Sequence, residues 1–230
     1  MVRWSFGIGD AALRRSEKRF TKKILLTGFD AFGSLQQNPS ELVVRQIAER
    51  ARAEGRRDLV SEVLPTQYAA AGKRIRQLIR RARPRAVLCL GVAESRTGLS
   101  LERVALNLDD SGLPDNAGRR RSGRAILRNG PPAYWSTLPL ERLRKKLAKQ
   151  GIPVGISNHA GTFVCNHVFY VARHETERLA GRPPCGLIHV PLLSERREKR
   201  QGKSQGLPLG TMVEAVECCL AVLRRTIASG

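Results

Sequence analysis

Three short apolar runs, each closed by glycine or proline, constrain this chain more than any other feature. They are Ile24-Leu25-Leu26-Thr27-Gly28, Ala86-Val87-Leu88-Cys89-Leu90-Gly91 and Gly186-Leu187-Ile188-His189-Val190-Pro191. A strand that does not alternate polar with apolar residues must be covered on both faces. The segments between them supply the cover. Asn38-Pro39-Ser40 places a capping side chain ahead of a first-turn proline, and Leu42, Val43, Ile47 and Ala51 then fall on one helical face. Residues 59–64 read as a strand, 68–81 as a helix with Ile75, Leu78 and Ile79 inward, and 138–150 as a helix. Residues 153–157 read as extended, 165–179 as a helix, and 210–227 as a closing helix with Val213, Val216, Leu220 and Leu223 inward. Strands alternating with helices predict an α/β fold: a three-layer sandwich, single-domain, with a mainly parallel central sheet and helices on both faces. Functional groups should gather at the carboxyl ends of the strands. The middle departs from the alternation. Residues 101–108 read as extended, while 109–132, rich in Gly, Pro, Asn and Arg, predict an irregular excursion, a hairpin or a lid.

At 230 residues the chain is near the upper end of a single α/β domain, and no segment approaches the roughly 20 apolar residues of a membrane span. Lys and Arg number 41 against 20 Asp and Glu, a formal +21 that attracts polyanions. The basic residues lie in short pieces, such as Arg80-Arg81, Arg119-Arg120-Arg121 and Lys145-Lys146, with no interleaved aromatics. That pattern describes an arginine-rich solvated surface, with nucleic-acid association as a lesser, nonspecific reading. Five cysteines in no paired spacing, without a secretory signal, predict a reducing, cytoplasmic setting. Residues 1–22 read as a flexible basic extension ahead of a folded domain over 23–230. No metal is assigned, because His167 and His174 lack a third ligand and Cys218-Cys219 point apart on a helix. Gly202-Lys203-Ser204-Gln205-Gly206 matches a nucleophile elbow in letters only, lacking the strand before it and the helix after it.

Three residues invite a chemical reading. Cys165 falls at or near a helix N-terminus, where the dipole and free N–H groups favour a thiolate and could hold an oxyanion. A small buried hydrophobe is the plainer alternative. His189 ends an apolar strand and needs a partner or a purpose, either as a base for Cys165 or as a histidine satisfied by a carbonyl. Glu102 suits the third member of a triad, or a surface ion pair.

Five blocks now stand in order: KILLTGFDAFGSLQQNPSELVV, LERVALNLDDSGLPDNAG, GPPAYWSTLPL, SNHAGTFVCNHVFY and GLIHVPLL. Their sequence and spacing resemble the pyroglutamyl peptidase I family of cysteine peptidases over nearly the whole chain beyond Lys22. The resemblance implies a peptidase that removes an N-terminal pyroglutamate without metal or cofactor and assembles as a homo-oligomer, often a tetramer. It implies Cys165 as nucleophile, His189 as base and Glu102 as the residue orienting it. It further implies that Phe29, Phe32, Asn38, Thr66, Leu113, Phe163 and Val164 form or support the substrate pocket. Several positions depart from the family pattern, among them His159, which stands where threonine is common. Where the family has Gly-Gln-Ala-Gly-Gly-Arg, this chain has Gly91-Val92-Ala93-Glu94-Ser95-Arg96, so Val92 replaces a ring-recognising glutamine and Glu94 a small residue. Gly112 stands where many relatives carry an arginine. The pocket is therefore expected to be altered around an intact triad, which leaves open another blocked N-terminus or a small amide as substrate.

Overall fold

The structure, a computed structural model, describes residues 23–194 and 206–228. The N-terminal extension, the basic loop 195–203 and the elbow-like run up to residue 205 lie outside the described residues. In chain order the elements are β1 (Ile24–Phe29), α1 (Pro39–Ala53), β2 (Leu59–Leu64), α2 (Tyr68–Ala82), β3 (Ala86–Val92), β4 (Leu99–Leu106) and β5 (Asp109–Ser111). There follow β6 (Arg121–Arg124), β7 (Ala133–Trp135), α3 (Leu140–Ala148), β8 (Val154–His159), α4 (Val164–Glu177), β9 (Cys185–Val190) and α5 (Leu209–Ala228).

The main sheet runs β2-β1-β3-β9-β4-β7, with β8 on the other side of β4. Its first four strands are mutually parallel, and β1, β3 and β9 are buried along their whole length, as their unbroken apolar runs require. One apolar cluster joins α1, α3 and α5 to one face, including Ile47, Leu143, Val216 and Leu220. A second joins α2 and α4 to the opposite face, including Tyr68, Ile75, Val168 and Phe169. The sandwich is three layers deep.

The sheet is mixed where the sequence suggested only an extended segment. β4 runs antiparallel to β9, with Ser100 opposite His189, and parallel to β8. The short link 93–98 between β3 and β4 explains the reversal, because a parallel return needs a crossover of about a dozen residues or more. The excursion after β4 is a tethered hairpin: β5 and β6 pair as a separate two-stranded sheet. Buried Asp115 accepts from the N–H of Tyr68 at 3.0 Å, capping α2, and from the N–H groups of Ala117 and Arg119. Asn116 donates to the Ala31 carbonyl at 2.8 Å, so the excursion is stitched to the loop after β1.

Candidate active site

β8 ends at His159, Gly161 turns the chain at φ +75°, and Phe163 opens α4 in an extended conformation without any side-chain cap. The uncapped first turn leaves backbone N–H groups unspent beside Cys165, a donor set suited to an oxyanion. Asn166 fixes this turn in place. Fully buried, it accepts from Leu106 N at 2.8 Å and donates to the Leu106 and Leu108 carbonyls at 2.9 Å each. The helix that carries Cys165 is thereby bolted to the end of β4.

β4 also carries Glu102, which is 2% exposed, and its Oε1 lies 2.8 Å from Nδ1 of His189 on the neighbouring strand β9. The far edge of the His189 ring, Cδ2 and Nε2, and the sulfur of Cys165 both close on Gly91. Gly91, next to last in β3, makes the meeting sterically possible. A methyl group there would lie 2.8 Å from Cys165 Sγ and 3.0 Å from His189 Nε2. Three strands and one helix thus bring Cys165, His189 and Glu102 into one line of contacts. Burial pulls the His189 imidazolium towards deprotonation, yet the hydrogen bonds and charges of Cys165 and Glu102 outweigh it and hold its pKa up at about 9. Oε2 of Glu102 is buried and makes no hydrogen bond. By contrast, burial pushes the Cys89 thiol up to about 12 and raises those of Cys185, Cys218 and Cys219, keeping them protonated and inert.

Beside this line lie most of the residues singled out for a pocket. Phe32 and Phe163 stack with centroids 5.8 Å apart, and Val164 and Phe29 are buried against the sheet. Asn38 and Thr66 both donate to the Asp30 carbonyl, at 2.9 and 3.1 Å, holding the loop that carries Phe32. Leu113 stands apart, 62% exposed at the outer turn of the excursion. Val92 closes β3, buried opposite Val190, and Glu94 is exposed in the following turn. Gly112 has no side chain to offer, but Arg120 folds back and donates to its carbonyl at 2.7 Å, so a guanidinium stands at that place in the fold.

A buried ionic cluster went unseen in the sequence. Asp109, wholly buried, receives His167 Nδ1 at 2.9 Å and a short hydrogen bond from Arg121. Arg121 lies 4.6 Å over the ring of Tyr68, which meets Phe163 edge-on at 5.6 Å. Nothing in the sequence signals the pairing, since 58 residues separate Asp109 from His167. His174, the other histidine of α4, bonds the hydroxyl of Tyr134 at 2.8 Å.

The sequence profile described as pyroglutamyl peptidase matches residues 22–226. The chain belongs to the pyroglutamyl peptidase family. Membership makes it a hydrolase of the cysteine-peptidase class. A pyrrolidone-carboxylate peptidase from Bacillus thuringiensis (strain Al Hakam) is 37% identical over 201 residues, covering 87% of this chain and 92% of that protein. The crystal structure of pyroglutamyl peptidase I from Bacillus amyloliquefaciens superposes with a TM-score of 0.77 at 36% identity, over 88% of this chain and 94% of the other. A variant of pyrrolidone carboxyl peptidase from Pyrococcus furiosus does so with a TM-score of 0.79 at 29% identity, over 89% and 99%. The family fold therefore spans the mixed sheet and all five helices described above. Among the described residues no helix is long and apolar enough to cross a membrane.

Proposed function

We propose that this pyroglutamyl peptidase homologue removes pyroglutamate from peptide N-termini through Cys165, His189 and Glu102. The observation that carries the reading is the 2.8 Å bond from Glu102 to a His189 whose other side faces Cys165 at the start of α4. Cys165 cedes its thiol proton to His189 and the sulfur attacks the carbonyl carbon between the pyroglutamyl ring and the next residue, while the first-turn N–H groups receive the developing oxyanion. His189, protonated at neutral pH by virtue of its raised pKa, gives its proton to the departing amine as the C–N bond breaks. Water then enters, His189 takes one of its protons, and hydroxide displaces the sulfur from the thioester to release free pyroglutamate. Glu102 keeps the imidazole in the productive orientation and balances its positive charge. A pocket of Phe29, Phe32, Phe163 and Val164, supported by Asn38 and Thr66, suits an uncharged ring with no ammonium to pair, while Leu113, on the outer turn of the excursion, would reach it only if that turn folded inward.

A second reading rests on Val92, which offers no hydrogen bond to a lactam: the same machinery would then prefer a different blocked N-terminus or a small amide. On either reading residues 23–230 are the peptidase domain and 1–22 an appended extension. The enzyme works in the cytoplasm as a homo-oligomer, a tetramer by resemblance, which light scattering on the purified protein tests. Release of a fluorescent amine from a pyroglutamyl-amide, compared between wild type and Cys165→Ala, tests the chemistry. Turnover lost in the variant supports it; full turnover by Cys165→Ala refutes it. A folded wild type that is slow on this substrate, and quickened by Val92→Gln, favours the second reading.

A further inference from the structure

The face of the sandwich opposite Cys165 carries an unneutralised band of positive charge. On α3, Leu143 and Leu147 point into the core, and Arg142, Lys145, Lys146 and Lys149 stand exposed around them. These four occupy positions i, i+3, i+4 and i+7, a stripe roughly 10 Å long on one side of the helix. Two adjoining grooves extend the stripe. One, of about 720 Å³, lies between α3, α5 and the end of α1 and adds Arg50 and Arg225; the other, of about 450 Å³, runs along α3 itself, and the two share Lys146, Val222 and Arg225. The carboxylates of these walls are mostly occupied. Glu141 pairs with Arg144 at 2.9 Å and Glu217 with Arg56 at 3.0 Å, which leaves Glu214 facing Arg50, Arg142, Lys145, Lys146 and Lys149. Among the described residues none of Arg50, Arg142, Lys145, Lys146 and Lys149 forms an ion pair.

Like charges crowded on one face repel one another, and among the described residues lining the grooves only Glu214 remains to offset that cost. A polyanion laid across the grooves would. We propose that the α3–α5 face binds the phosphate backbone of a nucleic-acid duplex, independently of sequence and of the peptidase reaction. No aromatic side chain lines either groove, which leaves no platform for stacking unpaired bases and favours a duplex. The exposed large apolar side chains, Leu113 and Trp135, belong to neither groove, so the face has nothing to insert into a bilayer.

The test is the fluorescence anisotropy of a labelled 20-base-pair DNA titrated with the whole protein between 50 and 200 mM KCl. About five phosphate contacts give a log–log salt slope of about −4.5, so this fourfold rise in salt should weaken binding about 500-fold. Neutralising Arg142→Gln, Lys145→Gln and Lys149→Gln together should flatten the slope by about 3, and Lys149→Gln alone by about 1. Neutralising the exposed Lys73, Arg81 and Arg128 to Gln removes the same net charge elsewhere and should leave the slope unchanged. Near-UV circular dichroism establishes that each variant is folded. No binding at 50 mM KCl, equal weakening by the two triple variants, or binding to anionic phosphatidylglycerol vesicles in place of DNA would each overturn the proposal.

Discussion

Replacing Gly91 by alanine should separate catalysis from stability. Gly91 does not have a positive φ, so alanine fits the β3 backbone without strain, and the lower entropy of its unfolded state contributes about 0.5–1 kcal/mol in favour. The new methyl, however, would sit 2.8 Å from the Cys165 sulfur and 2.8 Å from His189 Cδ2. Ordinary contact distances are about 3.5–4.0 Å, so each neighbour must retreat by roughly 1 Å. His189 resists through its bond to Glu102, and Cys165 through the anchoring of the adjacent Asn166. Overpacking of this kind costs about 1–3 kcal/mol, leaving a net loss of at most about 2.5 kcal/mol. A 1 Å misplacement of a reacting group is worth about 100-fold in rate. The expected result is a kcat about two orders of magnitude lower on a pyroglutamyl-amide, with a urea midpoint no more than about 1 M below that of wild type. Turnover within about threefold of wild type by a folded Gly91→Ala enzyme would refute the steric reasoning.

Glu102→Gln removes a charge that holds the His189 pKa up, so the alkaline limb of the kcat/KM profile should move from about 9 towards the ordinary 6.5. The sign for stability is the same: the raised pKa contributes stability that is complete below pH 6.5 and lost as pH rises through 9, so urea midpoints at those two pH values should differ less in the variant. Asp109→Asn leaves Arg121 without its buried counter-charge and should cost about 3–5 kcal/mol in urea unfolding; a loss below about 1 kcal/mol would contradict the ionic reading. Asn38→Ala removes the acceptor for Ser40 N and the donor to the Asp30 carbonyl, and should cost about 1–2 kcal/mol in stability. Because those bonds hold the loop of Phe32, KM should rise more than kcat falls, as steady-state kinetics would show.

The buried strands and amphipathic helices were legible because local pattern determines them: β1, β3 and β9 are the uninterrupted apolar runs, and α1 begins at the Asn38-Pro39 signal. The direction of β4 was not, since an extended segment carries no mark of which way its neighbour runs until the short 93–98 link is weighed. β7, only three residues long, has too little sequence for any period. Cys165, His189 and Glu102 were singled out through ordered blocks of resemblance, and the fold brings Glu102 against His189 and Cys165 beside Gly91, while residue types alone left each with a plain alternative. Asp109 looked like part of a polar turn because its partners, His167 and Arg121, come from distant segments, and burial of a charge becomes evident only when those segments meet. Gly91 looked like a strand terminator, and its use as clearance for two side chains depends on α4 and β9 both arriving over it.

The last strand of the chain lies in the middle of the sheet, because β9 enters between β3 and β4 although α3, β8 and α4 are made before it. During synthesis the ribosome therefore delivers Cys165 well before His189, and β3 and β4 must wait for a strand about a hundred residues downstream of β3 to fill the gap between them. Pairings at such long sequence separation form late and slowly. Under the proposed mechanism, a nascent chain that has not yet threaded β9 into place holds Cys165 without the imidazole of His189, so proteolytic competence would arrive with completion of the sheet and not before.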